Sequence, residues 1–145
     1  MSSYLNFYVV PKKKYKINGK ESEPLHIYSI SRNNEIYQAF QESISPVFVG
    51  MEEIHYTELT AEKMKQVVDD YSTEVRRMEK QYQNKCDIIE KLTKVEEETI
   101  NELVQTKEYL DEMSDTLKEL NFINGVVYDI SIGCSDFEKV LINVG

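Results

Sequence analysis

Hydrophobic and polar residues near the N-terminus follow the pattern of β-strands. The run Tyr4–Val10 reads Tyr-Leu-Asn-Phe-Tyr-Val-Val, and its aromatic and β-branched residues predict a strand. Further along, Tyr15–Lys20 contains Asn18-Gly19, a dipeptide that suits the positive φ angles of a type I′ turn, and the strand-forming run Leu25–Ile30 follows. The pattern therefore predicts a β-hairpin in this region.

The next segment changes to the spacing of a helix. Ile36, Tyr37 and Phe40 recur as they do on one helical face, behind an asparagine that can serve as an N-cap. We expect a short helix over Asn33–Ser43, which Pro46 brings to an end.

A long helical region follows, because the chain has neither glycine nor proline between Gly50 and Gly125. In heptads, apolar residues occupy most of the a and d positions: Met64, Val68, Tyr71, Val75, Met78, Tyr82, Ile89, Leu92, Leu103, Leu110, Met113, Leu117, Leu120 and Val127. The middle of this seam is interrupted by Lys85, Glu96, Thr99 and Thr106.

Two start signals lie within the helical region. Thr60 is a suitable N-cap, and Leu59 can pack onto Met64 as a hydrophobic staple. A second signal is Thr93–Glu96, which has the form of a capping box and is followed by further acidic residues. The heptad phase continues through this point, so two architectures remain: one rod of about 100 Å, or a hairpin of two helices.

The C-terminal residues favour the hairpin. Phe137–Val144 reads as an apolar strand that needs a sheet to join, and only a chain that reverses near residues 92–94 returns it to the N-terminal strands. We therefore expect helices over about 60–92 and 94–131, although 122–127 can also be read as a β-turn.

The predicted fold class is α+β: a small, mostly antiparallel sheet from both termini plus a long antiparallel helical hairpin resembling a coiled coil. We expect a single domain over residues 1–145, because a chain of this length with 41% hydrophobic residues can bury one core. Its parts are 1–58 (β-hairpin and short helix), 59–131 (helical hairpin) and 132–145 (C-terminal strand).

Composition narrows the function classes. Two cysteines are too few for a disulfide framework, no apolar run approaches the ~20 residues that cross a bilayer, and no secretory signal is visible. These features predict a cytoplasmic protein without a membrane role. The net charge of −9 predicts no direct binding of nucleic acid, although the basic stretch Lys12–Lys16 is an exception that we interpret as a solvated strand end.

Carboxylates concentrate on the second predicted helix, where 94–130 holds ten acids against three lysines. Several stand at self-repelling i, i+4 spacings, such as Asp111 with Asp115. We name the outer b, c and f positions the acidic ridge: Glu97, Glu98, Glu108, Asp111, Glu112, Asp115 and Glu119. The ridge is either a solubilising face or a surface for a basic protein partner.

Apolar residues also flank the heptad seam at e and g positions. The apolar surface of the predicted helices is therefore wider than one antiparallel helix can cover. We expect self-association into a dimer, with two hairpins forming a four-helix bundle. The residues that we assign to this contact are Val67, Ile88, Ile100 and Tyr109. A partner role for tyrosines is expected only at Tyr56, Tyr109 and Tyr128.

Residues with catalytic chemistry are few. His26 lies in a predicted strand, and Cys134 has no histidine near it in sequence. The densest set of metal-ligand types is Glu52, Glu53 and His55, whose adjacent carboxylates point to opposite faces of an extended segment. We predict no catalytic residue, no metal, no cofactor and no enzymatic activity, with a metal-dependent hydrolase as a poorer alternative.

The two ends of the chain, Tyr4–Lys13 and Phe137–Asn143, resemble the ends of small uncharacterised proteins of tailed bacteriophages, notably gut phages of AT-rich hosts. The resemblance names no defined family and transfers no site residue. It implies an accessory role in a phage or mobile element. We therefore expect a non-enzymatic interaction or assembly protein, with a nucleic-acid-mimicking inhibitor of a host nuclease or defence enzyme as the alternative.

Overall fold

A four-stranded antiparallel sheet forms one layer of the molecule. The computed structural model describes residues 3–13, 16–17, 20–21, 24–44 and 56–145. The strands in these ranges, of which four form this sheet, are β1 (Tyr4–Pro11), β2 (Lys16–Ile17), β3 (Lys20–Glu21), β4 (Leu25–Ser31), β5 (Thr57–Glu58) and β6 (Phe137–Val144). The sheet order is β4-β1-β6-β5, and β2 pairs with β3 in a separate antiparallel pair. The predicted Asn18-Gly19 turn and Pro46 lie outside the described residues.

The sheet joins the two ends of the chain. Strand β6 pairs antiparallel with β1, with Leu5 opposite Val144. Beyond this pair, Tyr4 and Gly145 exchange backbone hydrogen bonds of 2.9 and 3.1 Å. The predicted α+β class, with a sheet built from both termini, is therefore confirmed, and the rod is excluded.

In the described ranges, the sheet is accompanied by the helices α1 (Glu35–Ser43), α2 (Ala61–Glu90) and α3 (Glu97–Ser131). The predicted Thr60 cap is confirmed, because its Oγ1 accepts the Lys63 N–H at 3.1 Å. Helix α1 begins later than predicted, and its cap is Asn34, whose Oδ1 accepts the Ile36 N–H at 2.9 Å.

The turn between α2 and α3 differs from the prediction. The prediction of a capping box at Thr93–Glu96 is wrong, because the N-cap of α3 is Glu96 and its side chain makes no capping hydrogen bond. The N–H groups of residues 91 and 92 still bond to carbonyls in the last turn of α2. The helical hydrogen bonding therefore extends past the end of α2, and the chain reverses over the whole segment 91–96. This length is ordinary for a helix–helix connection.

Helix α3 continues through 122–127, so the alternative of a β-turn there is wrong. The helix ends at Ser131, in agreement with the predicted range 94–131, and Gly133 follows with a φ of 81°, in the left-handed region that favours glycine. The Cys134 N–H bonds to the Asp129 carbonyl at 2.9 Å, and the Gly133 N–H bonds to the Ile130 carbonyl at 3.2 Å. This Schellman arrangement turns the chain toward β6.

The core lies between the sheet and the helices. Alternate residues of β1, namely Leu5, Phe7 and Val9, are buried on one face, as expected for a strand with period two. The rings of Phe7 and Phe40 meet edge to face with centroids 5.6 Å apart, which ties β1 to α1. The seam residues of α2 and α3 join the same core: Met64, Val68, Tyr71, Val75, Leu110, Met113, Leu120 and Val127.

Candidate interaction surface

The acidic ridge lies on the outside of α3. All seven of its residues are exposed, because the a and d positions of the same helix face α2 and the sheet. Among the described residues, two ridge carboxylates have lysine partners: Asp111 with Lys107 at 3.2 Å and Asp115 with Lys118 at 4.0 Å. These four side chains are more than half exposed, so the pairs offset little of the ridge's charge.

The outer face of α3 changes its chemistry along its length. Glu108, Asp115 and Phe122 occupy the f position of three successive heptads and therefore share one face. Phe122 is 75% exposed, the highest value among the large hydrophobic residues in the described part of the chain. The ridge thus runs from carboxylates directly into an exposed aromatic side chain.

Beside Phe122 lies a cavity of about 500 Å³ that we name the apolar groove. It separates the C-terminal half of α3 from β4. The apolar side chains that line it come from both strands and helices: Phe7, Ile27, Tyr28, Ile36, Phe122, Ile123, Val126, Val127 and Val140. Lys118 and Glu119 supply the charged groups at its border, and Glu119 belongs to the ridge as well.

A β-bulge shapes the wall of the groove on β4. Phe7 pairs with Tyr28 and Tyr8 with His26, so Ile27 is an extra residue in β4. Ordinary alternation sends neighbouring side chains to opposite faces, but a bulge re-aims one of them. Both Ile27 and Tyr28 therefore line the groove, and both remain more than half exposed.

The residues assigned to self-association do not form one surface. Val67 is completely buried in the chain's own core, so its assignment is wrong; the sheet and helix layers already cover this flanking position. Ile88 is 60% and Ile100 47% exposed, near the turn of the hairpin. Tyr109 is 42% exposed and borders a different cavity.

That second cavity, of about 340 Å³, lies among α1, α2 and α3. Glu35, Glu42, Asp70 and Glu74 surround it together with two tyrosines. Tyr71 donates a hydrogen bond to Glu35 Oε2 at 3.0 Å, and burial, followed by the Glu35 carboxylate, raises the pKa of Tyr71.

Several charged groups at this cavity perturb one another. Burial, followed by the surrounding carboxylates, raises the pKa of Tyr109. The hydrogen bond from Arg77 lowers the pKa of Glu74. Within the described ranges, no group of three or more His, Cys, Asp and Glu residues has the arrangement of a metal site. The hypothesised ligands Glu52, Glu53 and His55 lie outside those ranges.

The other face of the sheet carries a row of polar side chains. His26 Nε2 lies 2.8 Å from Ser29 Oγ, Ser29 donates to Asn6 Oδ1 at 2.7 Å, and Asn6 donates to Asn143 Oδ1 at 3.1 Å. Because the Ser29 hydroxyl donates its proton to Asn6, His26 Nε2 donates to the Ser29 oxygen. A serine nucleophile would instead have to donate its proton to the histidine. As arranged, Ser29 and His26 therefore do not form a nucleophile and base pair.

The three tyrosines expected to be available to partners are all exposed: Tyr56 at 47%, Tyr109 at 42% and Tyr128 at 55%. No sequence pattern predicts a role for Phe122, Ile27 or Tyr28. Phe122 carried a usable signal, since an aromatic residue at an f position faces away from the heptad seam. The other two depend on the bulge, which local sequence does not reveal.

Comparison with protein-family models, with curated proteins and with solved structures finds no match to this chain. In the part of the chain that the structure describes, no helix has the length and apolar character needed to span a membrane.

Proposed function

We propose that this protein is a non-enzymatic interaction protein, and that the acidic ridge of α3 binds a basic segment of another protein. The observation that carries the proposal is the concentration of seven exposed carboxylates on one face of one helix. Like charges at i, i+4 each cost a helix about 0.2–0.5 kcal/mol. Asp111 with Asp115 and Asp115 with Glu119 have this spacing, and a basic partner would relieve their repulsion.

The second part of the proposal is self-association through the end of the hairpin. Four large apolar side chains are between 46% and 60% exposed around the turn: Ile88, Leu92, Ile100 and Val104. Two such hairpins can cover these side chains by forming a four-helix bundle. Ile88 and Ile100 thus keep the role that the sequence predicts for them, and Leu92 and Val104 are added.

The accessory role in a phage or mobile element, which the resemblance of the two termini implies, is the setting that we propose. An inhibitor that mimics nucleic acid would use the same carboxylates. That alternative has less support, because the ridge leads into Phe122 and an apolar groove, and an aromatic side chain has no counterpart in a phosphate backbone.

The ridge can be tested with a labelled peptide of lysine and serine, roughly 18 residues long. As a helix it spans about 27 Å, the length of α3 from Glu108 to Val126 at about 1.5 Å per residue. Fluorescence anisotropy should detect binding at low salt and its steep loss at high salt, because surface charges are screened beyond about 10 Å at 0.1 M salt. The triple variant Asp111→Lys/Glu112→Lys/Asp115→Lys should bind at least about tenfold more weakly.

A matched control separates the ridge from the net charge. Asp69→Lys/Glu79→Lys/Glu90→Lys reverses the same number of exposed carboxylates, but on α2. This control should keep most of the wild-type affinity. Equal losses in the two triple variants would mean that only the overall charge attracts the peptide, and the proposed role of the ridge would then be rejected.

A further inference from the structure

Phe122 is the feature of the surface that the fold itself does not require. Its side chain is 75% exposed on α3, whereas a polar residue at this f position would serve a solvent-facing helix better. Val126, one turn further along, is 41% exposed and lines the same groove. Contiguous exposed apolar surface of this kind commonly marks an interaction site.

We propose that the apolar groove receives the apolar face of an amphipathic, basic helix of a partner protein, whose lysine or arginine side chains lie along the acidic ridge. The inference rests on the proposed function and adds the chemistry and secondary structure of the partner. The proposed binding surface thus has two parts: the apolar groove, which holds apolar side chains of the partner, and the acidic ridge, which attracts its basic side chains.

The size and lining of the groove define what it can hold. Its volume of about 500 Å³ falls within the range of roughly 300–1,000 Å³ that is usual for binding pockets. Apart from Lys118 and Glu119 at the border, the side chains that line it are apolar. Such a site offers little to orient a polar ligand, so its occupant must present hydrocarbon or aromatic side chains.

Two of the elements that line the groove, β4 and α3, keep large apolar side chains accessible. The bulge in β4 places Ile27 and Tyr28 in the lining, while α3 supplies Phe122 and Val126. In other complexes, grooves lined by such side chains receive the apolar face of an amphipathic helix. Aromatic anchors of this type often dominate binding energy.

Charge complementarity and continuity favour a basic helix. Glu119 borders the groove and also belongs to the ridge, which continues through Asp115 to Glu108 on the same helical face. From Glu108 to Val126, α3 covers about 27 Å at 1.5 Å per residue. A partner helix of similar length can therefore place apolar residues in the groove and basic residues on the ridge at the same time.

The same charges disfavour other occupants. A second copy of the chain lying along α3 would bring one acidic ridge against another, and like charges across an interface cost affinity. Nucleic acid is repelled for the same reason. A small apolar molecule would fill the groove without using the ridge, so the effect of ridge substitutions distinguishes it from the proposed helix.

The test compares two labelled peptides of roughly 18 residues with identical lysine positions. The amphipathic peptide has leucine at i, i+3, i+4 and i+7 spacing, and the basic control peptide has serine at those positions. We expect the amphipathic peptide to bind the full-length protein at least about tenfold more tightly. Phe122→Ser and Tyr28→Ser should each remove most of that advantage without changing the affinity for the basic peptide.

Matched variants make the result specific. Ile132→Ser alters a side chain that is 52% exposed just beyond the end of α3 and lies outside the groove, so it should leave both affinities unchanged. Circular dichroism of each variant checks the fold, and the use of Phe122 and Tyr28 gives independent substitutions on two elements. A loss caused by unfolding would affect the basic peptide as well.

The outcomes separate the inference from the function on which it rests. Equal affinity for the two peptides, with both lost in the triple ridge variant, rejects the groove but keeps the ridge. If neither peptide binds at low salt, both proposals fail. If the amphipathic peptide still binds the triple ridge variant with wild-type affinity, the groove accepts apolar ligands without help from the ridge. If Phe122→Ser converts a dimer to a monomer in light scattering, the groove holds a second copy of the chain. Either result overturns the inference.

Discussion

The helical hairpin has two halves that are built differently, although one heptad pattern runs through both. In the proximal half, residues such as Met64, Val75, Met113 and Leu120 are buried in the core that the helical hairpin shares with the sheet and α1. In the distal half, no residue between 79 and 109 is buried. A heptad seam between two helices therefore gives only partial burial, and full burial requires the further surface that the sheet and α1 provide.

The contacts across the distal half are correspondingly polar. Lys85 Nζ donates to Thr106 Oγ1 at 3.0 Å, so two residues that interrupt the apolar seam face each other. Nearby, Lys107 Nζ lies 5.5 Å from the centre of the Tyr82 ring, a cation–π contact that contributes about 0.5–1 kcal/mol at an exposed site. These contacts fix the register of the helices but add little apolar burial.

The largest expected difference between the halves appears when the same substitution is made in each. Leu120→Ala removes a completely buried side chain and should lower the free energy of unfolding by about 3 kcal/mol. Leu103→Ala alters a half-buried seam position in the same helix and should cost about 1 kcal/mol or less, since water already reaches it. Urea denaturation at one protein concentration measures both, and equal losses would show that the distal half is as well packed as the proximal half.

A smaller effect is expected from the exposed apolar residues at the end of the hairpin. If they form the proposed dimer contact, Ile88→Glu/Ile100→Glu should weaken association at least about thirtyfold, or roughly 2 kcal/mol. Light scattering over a range of concentrations measures the loss. Tyr128→Glu/Ile132→Glu introduces the same charges at two exposed positions outside the distal half and should leave the dimer intact. A wild-type particle that stays monomeric throughout would contradict the proposed contact.

Local patterns predicted those features of the fold that depend on a few neighbouring residues. The Thr60 cap and the strand character of the C-terminal residues follow from short-range chemistry. The hairpin required one further step, namely that the C-terminal strand must find a sheet. Its pairing with β1 bears out that reasoning.

The errors arose where distant parts of the chain decide the outcome. Val67 has the heptad position of a flanking residue, yet the core encloses it completely. Thr93–Glu96 has the composition of a capping box, but the geometry needed to reverse the chain prevails over that local preference. The groove beside Phe122 depends on a bulge in a strand far away in sequence, so no pattern along α3 alone reveals it.

The smallest predicted effect concerns how the proximal half is tied to α1. Tyr71 on α2 donates to Glu35 on α1 at 3.0 Å; its burial, and then the Glu35 carboxylate, raise its pKa above the usual 10.0. As pH rises above that usual value, the unfolded chain ionises this tyrosine before the folded chain does. The stability associated with the raised pKa is present below about pH 10 and declines above it, with a slope of at most about 1.4 kcal/mol per pH unit.

Tyr71→Phe should remove this component of the pH dependence, because phenylalanine has no hydroxyl to ionise. Urea denaturation of both proteins between about pH 9 and 11.5 should show the wild-type protein losing stability faster than the variant above pH 10. Tyr4→Phe, which alters a tyrosine that is 41% exposed on β1, controls for the removal of one hydroxyl. If stability falls equally with pH in the wild-type protein and in Tyr71→Phe, the contact between Tyr71 and Glu35 is too solvated to stabilise the proximal half. Packing against the sheet would then alone account for the difference between the two halves of the hairpin.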